Sequence, residues 1–382
     1  MRNSLTLLVR RATVGALALA GIWAPTGALA AAPAAPPSPE AGRVPFAQRY
    51  HALQHGGIVR AANVSITCRM PQAVRGSWPS TARSCPAARE GKAGVNGAFD
   101  MTYVDVDKDP NTYNSSRAEV RLPKGSTVSY ARLYWGGNLR VGEQKPPKDN
   151  GRVLVAEPGG EYREVLADTV VGHRVARGAD AFQASANVTK LVRESGPGLY
   201  TVAQVNVAKG QSRAGAWGGW TLVVAYENSA QRLRHLAVWD GFDALKSGAG
   251  QEIRLRGLPF PKGAGGRAGL VTYDGDRGAT GDSLTLTTTR ARSAAPARRT
   301  TVTALTNPGN PRDDVLNSTI SQPGAVQPQR VPAYSGTLGY DSDVFDLKPG
   351  LRQGGDHLAF KVVAQRDAAW TGVLFVAVDA QQ

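Results

Sequence analysis

Short segments in which apolar and polar residues alternate recur along most of the chain. In one of them Ile253 and Leu255 point to one side and the intervening arginines to the other. Because successive side chains of a strand point to opposite faces, this period of two predicts half-buried strands of antiparallel sheets. Further alternating segments lie at 119–122, 284–286 and 358–362.

Two segments, 220–226 and 373–378, are apolar on both faces and predict central strands. Turns rich in Gly, Pro and Asn separate the predicted strands. The chain is therefore predicted to be all-β, an antiparallel β-sandwich or jelly roll, and its length favours two packed sandwiches over 57–230 and 231–382. One elaborated sandwich over 57–382 is the alternative.

Helical spacing is scarce. Phe46, Tyr50 and Leu53 follow one another at i, i+4 and i+7, which predicts a short helix within residues 44–54. Residues 187–192 predict a single helical turn capped by Asn187 or Ser185.

The N-terminus has the three parts of an export signal. Arginines at 2, 10 and 11 precede a short apolar run over 12–22, and small residues at 28–30 form a cleavage site. Residues 1–30 are thus predicted to be a signal peptide, and 31–56 a Pro/Ala-rich spacer with the short helix at its end. We expect a secreted, extracellular protein with no stable membrane span after processing.

Composition and charge narrow the function classes. The 382 residues include 44 glycines and 24 prolines, hydrophobic residues are 42%, and the net charge is +15. The apolar content argues against a disordered chain. The charge favours cell-envelope polyanions or acidic glycans as partners, although arginine-rich composition also follows from a GC-rich genome. No basic groove with interleaved aromatic residues is visible, so no nucleic-acid partner is predicted.

Cys68 and Cys85 are the only cysteines. In an exported chain, an isolated pair at this spacing predicts a disulfide. No third cysteine or histidine lies at a spacing typical of a zinc site.

No catalytic motif is visible in the sequence, so no catalytic residues are predicted and the protein is expected not to be an enzyme. A nucleophile elbow and a His-Glu-x-x-His zinc motif are both absent. A glycan-processing enzyme remains an alternative because it needs only two facing carboxylates, which spacing does not reveal.

Acidic residues are bunched in four groups, and loop carboxylates and amides are the oxygen ligands that calcium prefers. Aspartates and asparagines also gather in turns, where they hydrogen-bond nearby backbone amides, and this turn chemistry is the alternative. Aspartates 313 and 314 with Asn317 make up one group. The candidate Ca²⁺ ligands come from the other three groups: Asp105, Asp107, Asp109, Asn114, Asp274, Asp276, Asp282, Asp341 and Asp343.

The aromatic residues allow two interpretations. A sugar-binding platform needs exposed planar rings. Most of the tyrosines and tryptophans lie within apolar strands, which favours core packing, and Trp78 is the best candidate for an exposed ring.

Several segments together resemble an uncharacterised family of exported proteins of GC-rich Gram-positive bacteria. They are FDMTYVDVD (99–107) followed by NSS (114–116), ARLYWGG (131–137), WGGWTLVVAYE (217–227), VWDGF (238–242), YDGD (273–276) with TGD (280–282), NSTIS (317–321) and LGYDSD (338–343). Members of this family often form the N-terminal part of cell-surface proteins with repeated β-sandwich modules. The resemblance implies an all-β extracellular domain with an adhesive or envelope-associated role, and it provides no catalytic residues to assign in this chain.

The sequence thus predicts a secreted, non-catalytic surface or extracellular-matrix-type protein that binds through its loops. No sorting signal or trailing repeat follows the matched segments, which favours a released or loosely surface-associated protein. A carbohydrate-binding module is one alternative, because 187–202 resembles a turn-then-strand element of jelly-roll sugar-binding domains. A glycan-processing enzyme is the other.

Overall fold

The structure is a computed structural model that describes residues 44–70, 84–245, 248, 250–290, 299–324, 327–366 and 368–381. The predicted signal peptide, the spacer up to residue 43 and Trp78 lie outside the described residues.

Strands make up most of the regular structure in the described residues. The strands are β1 (Val44–Val64), β2 (Ile66–Cys68), β3 (Met101–Tyr103), β4 (Ser115–Val120), β5 (Thr127–Asn138), β6 (Arg152–Ala156), β7 (Tyr162–Leu166), β8 (Thr169–Ala176), β9 (Ala179–Asn187), β10 (Gly198–Ala203), β11 (Gly218–Glu227), β12 (Leu233–Ala244), β13 (Gln251–Phe260), β14 (Gly266–Tyr273), β15 (Ser283–Arg290), β16 (Arg299–Ala304), β17 (Arg330–Val331), β18 (Tyr340–Asp346), β19 (Gly355–Val363) and β20 (Trp370–Asp379). The helices are α1 (Cys85–Arg89), α2 (Thr189–Ser195) and the one-turn 3₁₀ helices Asn96–Ala98 and Pro147–Asp149.

The described strands form four antiparallel sheets. Nine strands pair in the order β18-β14-β20-β12-β1-β11-β5-β9-β8. A five-stranded sheet has the order β17-β4-β10-β6-β7, a four-stranded sheet the order β13-β19-β15-β16, and β2 pairs with β3. The all-β antiparallel class is therefore confirmed.

The long strand β1 belongs to both halves of the nine-stranded sheet. Up to His55 it pairs with β12, and from Gly56 onward it pairs with β11. At the crossover Gly56 has a φ of +147°, and a Cβ there would lie 1.9 Å from the carbonyl oxygen of Tyr226. Only glycine fits this position, where the chain passes from one half-sheet to the other.

The two halves of the nine-stranded sheet lie face to face. We call β8, β9, β5, β11 and residues 56–64 the first half-sheet, and residues 44–55 with β12, β20, β14 and β18 the second half-sheet. Hydrogen bonds join them: Gln183 Nε2 donates to the carbonyl oxygen of Gly241 at 3.0 Å, and the Thr221 and Tyr340 hydroxyls lie 2.7 Å apart.

Three buried cores separate four layers. One lies between the five-stranded sheet and the first half-sheet, and another lies between the second half-sheet and the four-stranded sheet. The third fills the space between the half-sheets with aromatic side chains, including Trp217, Phe242, Tyr273 and Trp370. The protein is thus two β-sandwiches packed face to face, and the boundary near residue 230 stays a prediction.

A buried ionic cluster crosses the third core. Asp240 on β12 accepts two hydrogen bonds from Arg49 Nε and one from Arg49 Nη2, and Tyr134 on β5 donates its hydroxyl to the same carboxylate at 3.0 Å. The side chain of Arg132 is 3% exposed, and its Nε lies 3.6 Å from Asp240 Oδ2. The hydrogen bonds that Arg49 donates to Asp240 raise the pKa of Arg49 above its usual value. Asp240 therefore compensates Arg49, and it shares Arg132 with Asp168, whose carboxylate accepts hydrogen bonds from Arg132 Nη1 and Nη2.

The short helix predicted within 44–54 is wrong, because these residues are the first half of β1. Register shifts in the pairing with β12 occur beside Ala47 and Tyr50. Phe46 packs against the core between the second half-sheet and the four-stranded sheet, and the ring of Tyr50 stacks on that of Tyr130 with centroids 4.4 Å apart. Leu53, the third residue of the predicted helical stripe, is 54% exposed. Hydrogen bonds to β12 satisfy the backbone groups of these residues, so tertiary pairing overrides the helical spacing of their apolar side chains.

Three other sequence predictions are confirmed. Both all-apolar segments are central strands, as parts of β11 and β20. Cys68 and Cys85 form a disulfide. The predicted helical turn overlaps α2, but its predicted cap is wrong, because the N-cap residue is Val188, which makes no side-chain cap hydrogen bond; Asn187 Oδ1 accepts the amide of Thr189, the first residue of the helix. Among the described residues, no helix is long and apolar enough to cross a bilayer.

Candidate functional site

Loops gather at one end of the paired sandwiches, which we call the loop end. The β8–β9 hairpin turns there at Arg177 and Gly178, and β5 ends beside the start of β9. On the second half-sheet, β14 ends there beside the starts of β18 and β20. Because loops on a rigid scaffold carry most binding sites, this end is where a site is expected.

A cleft of about 790 Å³ opens among these loops, which we call the loop-end cleft. Its volume lies in the range of ligand pockets, about 300–1,000 Å³. The residues that define it are Asn96, Arg177, Arg213, Asp274, Asp276 and Arg366.

Two buried aspartates hold the floor of the loop-end cleft. Asp276 Oδ1 accepts the amide of Asn96 at 2.7 Å, and Asp274 Oδ1 accepts Asn96 Nδ2 at 3.0 Å. Both carboxylates are at least nine-tenths buried. They fix the segment around Asn96, which belongs to the 3₁₀ helix, against the end of β14.

Three arginines from three loops form the rim. Arg177, Arg213 and Arg366 are all exposed, and they come from the β8–β9 hairpin, the segment before β11 and the segment before β20. Guanidinium groups bind carboxylates and phosphates in a fixed, bidentate geometry. The rim is therefore suited to an anionic ligand.

Asp274 belongs to a strained backbone region behind the floor. Asp274, Ser318 and Leu338 all have positive φ, at 66°, 58° and 53°. Ser318 Oγ donates to the carbonyl oxygen of Gly275 and accepts the amide of Gly339, and the Asp274 amide donates to Gly339. Non-glycine residues in this conformation persist only where surrounding contacts impose it, and they cluster at functional sites.

Asp341 and Asp343 hold an irregular segment against the edge strand β18. Asp341 Oδ1 accepts the amide of Thr319 at 2.9 Å, and Asp343 Oδ1 accepts the amide of Ser321 at 2.8 Å. In return, the amides of Ser342 and Val344 donate to the carbonyls of Thr319 and Ser321. The two carboxylates thus take the place of strand carbonyls and cover the edge of the sheet.

Burial perturbs the pKa values of Asp343 and of two nearby arginines. It raises the pKa of Asp343 from 3.8 to about 6. It also lowers the pKa values of Arg60 and Arg330, both near Asp343, to about 10. The buried carboxylate and the two buried cations each lose hydration that their mutual attraction restores only in part.

Asp343 should therefore make stability depend on pH. The folded protein binds this proton more tightly than the unfolded chain does, so the contribution of Asp343 to stability is complete below about pH 4 and is lost as the pH rises through about 6. From pH 4 to pH 7, the unfolding free energy of Asp343→Asn relative to wild type should rise by about 2–3 kcal/mol. Urea unfolding at several pH values measures it. Exposed Asp346→Asn is the control, and a constant difference for Asp343→Asn would show that burial does not perturb this carboxyl.

The first predicted calcium group is a ladder of turns between β3 and β4. Asp105 Oδ1, Asp107 Oδ1 and Asp109 Oδ1 accept the amides of Lys108, Asp109 and Asn111. This is the hydrogen-bonding that makes aspartate common in turns. Asn114 instead clamps Val205, accepting its amide and donating to its carbonyl.

The remaining acidic residues bind backbone amides near the loop end. Asp314 Oδ2 accepts the amide of Gly278 at 2.9 Å, and burial raises the pKa of Asp314. Asp282 Oδ1 accepts the amide of Gln365 at 3.3 Å. These bonds connect the loop after β14 to its two neighbours.

In the part of the chain that the structure describes, no three Asp, Glu, His or Cys side chains form a group that could hold a metal ion. The nine predicted ligands divide among the β3–β4 loop, the loop end and the edge strand β18. Hydrogen bonds to backbone amides or carbonyls engage eight of them, and Asp274 accepts the side-chain Nδ2 of Asn96. Turn and edge chemistry explains these side chains, and calcium binding stays a prediction.

The sequence did not point to the rim arginines. Arg177, Arg213 and Arg366 are far apart in the chain and none stands in a motif. Only the fold brings them together, so no sequence pattern could have selected them from the other arginines. The sequence did point to Asp274 and Asp276, but as calcium ligands, whereas in the structure they accept hydrogen bonds from Asn96.

No curated protein sequence matches the chain. Among solved structures, it is similar to the one titled "Life in the extremes: atomic structure of Sulfolobus Turreted Icosahedral Virus", at 8% identity over 85% of this chain and 91% of that one, with a TM-score of 0.20. It is also similar to a peptide-N(4)-(N-acetyl-β-D-glucosaminyl) asparagine amidase, at 14% identity over 73% of this chain and 95% of that one, with a TM-score of 0.17. Similarities at TM-scores this low support no conclusion about the protein.

A family model matches residues 90–257 and is described as "Protein of unknown function (DUF3344)". The matched region contains Asn96, Arg177 and Arg213 of the loop-end cleft, whereas Asp274, Asp276 and Arg366 lie beyond it. Over residues 90–257, the chain is therefore similar to an uncharacterised family.

Proposed function

We propose that this protein is a secreted, non-catalytic surface or matrix component that binds an anionic glycan of the cell envelope in the loop-end cleft. The observation that carries the proposal is the convergence of three exposed arginines on one cleft with a rigid floor. Without the three arginines of the predicted signal peptide, the net charge is still +12, which adds long-range attraction for a polyanion.

The floor supports binding rather than hydrolysis. A glycoside hydrolase places two carboxylates on opposite sides of the scissile bond. Asp274 and Asp276 are instead two residues apart, and both accept hydrogen bonds from Asn96. Their arrangement favours a structural role, and the ligand contacts are assigned to the exposed rim arginines, chiefly Arg213 and Arg366.

The aromatic side chains favour charged recognition over ring stacking. Trp135, Trp217, Trp220 and Trp370 are buried, as core packing predicts. The large apolar side chains that are exposed in the described residues are aliphatic, such as Leu53, Leu166 and Val302. If the protein binds a carbohydrate, we therefore expect it to recognise the acidic groups of the glycan.

Removing two rim arginines should weaken binding of an acidic polysaccharide. Arg213→Ala with Arg366→Ala should reduce affinity for polygalacturonate by about 10–100-fold, because two charge-assisted contacts are lost. Calorimetric titration of the purified protein measures this, and affinity should fall further as salt is added.

The matched control removes two exposed arginines elsewhere, Arg163 on β7 and Arg256 on β13. Neutral dextran serves as the control ligand. An equal loss of affinity in both double variants would mean that overall charge, not the loop-end cleft, binds the polymer. Unaltered affinity in Arg213→Ala with Arg366→Ala would overturn the proposal.

A further inference from the structure

A second concavity lies where β1 crosses between the half-sheets, and we call it the arginine groove. It has a volume of about 390 Å³ and is lined from both half-sheets and from the segments after β4 and before β17. It shares no lining residue with the loop-end cleft.

The wall of the arginine groove is apolar. Ile58, Leu122, Tyr226, Val344 and Phe375 are among the residues that line it. Phe375 lies over Gly269 on the adjacent strand, where a Cβ would come within 1.9 Å of the ring. The glycine therefore lets the ring lie flat against the sheet as part of the groove wall.

The charge in the groove has one sign. Arg60, Arg121 and Arg267 line it, and no acidic side chain does so among the described residues. Arg121 pairs with Glu119 outside the groove. Arg60 and Arg267 have no carboxylate within ion-pair distance in the described ranges.

Arg60 is the unusual member, because it is a buried cation. It is 3% exposed, its Nη2 donates to the carbonyl oxygen of Ser321 at 2.8 Å, and its buried Nε has no hydrogen-bond partner in the described part of the chain. Leaving a buried charged group without full compensation is costly. An anion entering the groove would reduce that cost.

We propose that the arginine groove binds a free aliphatic anion, with its charged group beside Arg60 and Arg267 and its chain along the apolar wall. Apolar area and positive charge meet in a volume too small for a folded partner but within the range of small-ligand pockets. This site takes an amphiphile rather than a polysaccharide and does not depend on the function proposed for the loop-end cleft.

Octanoate tests both halves of the proposal, with acetate lacking the chain and octanol lacking the charge. In calorimetric titrations octanoate should bind at least about tenfold more tightly than either, the factor expected when one charge-assisted hydrogen bond or several buried methylenes are lost. Equal binding of octanoate and octanol would overturn the proposal, since the arginines would then contribute nothing.

Variants identify the site. Arg267→Gln should weaken octanoate binding by about tenfold, and Arg60→Met should weaken it at least as much. Arg267 is exposed, so its variant should fold even where Arg60→Met does not. Arg256→Gln on β13 is the matched control and should leave octanoate binding unchanged.

Two further experiments distinguish this proposal from binding in the loop-end cleft and from binding to a membrane surface. Arg213→Ala with Arg366→Ala should bind octanoate normally, which distinguishes failure here from failure of the loop-end cleft. Vesicles of phosphatidylglycerol provide the alternative source of an aliphatic anion. Capture by these vesicles without octanoate binding would overturn the free-ligand site in favour of a membrane surface.

Discussion

Asp240→Ala should lower the free energy of unfolding by about 3–5 kcal/mol, the range found when one partner of a buried ion pair is removed. Asp240 accepts three hydrogen bonds from Arg49 and one from Tyr134, and Arg132 lies close to the same carboxylate. Without it, Arg49 loses its anion, and Arg132 keeps only its ion pair with Asp168. Urea unfolding followed by tryptophan fluorescence measures the loss.

Two controls make this result specific. Asp346→Ala removes an exposed aspartate at the end of β18 and should change stability by less than about 0.5 kcal/mol. Asp240→Asn keeps the shape but not the charge, so its effect should lie between those of the alanine variant and wild type. A loss below about 1 kcal/mol in Asp240→Ala would mean that the cluster is hydrated rather than buried.

Trp217→Ala should destabilise the protein by about 3–5 kcal/mol because it opens a cavity in the core between the half-sheets. Trp217 is fully buried, with ring centroids 5.9 Å from Tyr273 and 6.5 Å from Trp370. Its Nε1 has no hydrogen-bond partner in the described residues. Thermal and urea unfolding of the purified variant measure the effect.

Trp217→Phe separates packing from hydrogen bonding. Because the indole nitrogen makes no bond in the described residues, phenylalanine should lose only part of the packing, and its cost should be less than half that of alanine. Leu166→Ala, at a side chain 60% exposed, is the surface control. A similar small effect of Trp217→Ala and Leu166→Ala would indicate that the two half-sheets are not packed against each other.

The sequence predicted the sheets because their signal is local. Period-two alternation marks a half-buried strand wherever it occurs, and the all-apolar segments that became β11 and β20 were predicted as central strands. The prediction for the first half of β1 was wrong because the spacing of Phe46 and Tyr50 fits either one face of a helix or a strand with bulges. Pairing with β12, almost two hundred residues away, decides between them.

The candidate site was predictable only in part. The aspartate groups stood out by composition, yet composition does not distinguish a metal ligand from an acceptor of backbone amides. Asp341 and Asp343 act as acceptors because an irregular segment runs beside them in the folded chain. The rim arginines meet only through tertiary structure, which a single sequence does not record.

The same limit applies to the arginine groove. Arg60 lies within an apolar strand segment, where alternation alone would place a basic residue toward solvent. The second half-sheet covers that face, so the guanidinium is buried near Asp343 and Arg330. Packing between the half-sheets thus imposes the desolvation cost on Arg60, and the same packing places this residue in the proposed anion site.

The central claim is that the two sandwiches meet face to face across the core between the half-sheets. A double-mutant cycle between Tyr134→Phe on β5 and Asp240→Asn on β12 tests it most directly, because their 3.0 Å hydrogen bond joins the two half-sheets. The structure predicts a coupling energy of about 1.5–3 kcal/mol, as expected for a buried hydrogen bond to a charged group. A coupling energy within about 0.5 kcal/mol of zero would contradict the face-to-face arrangement.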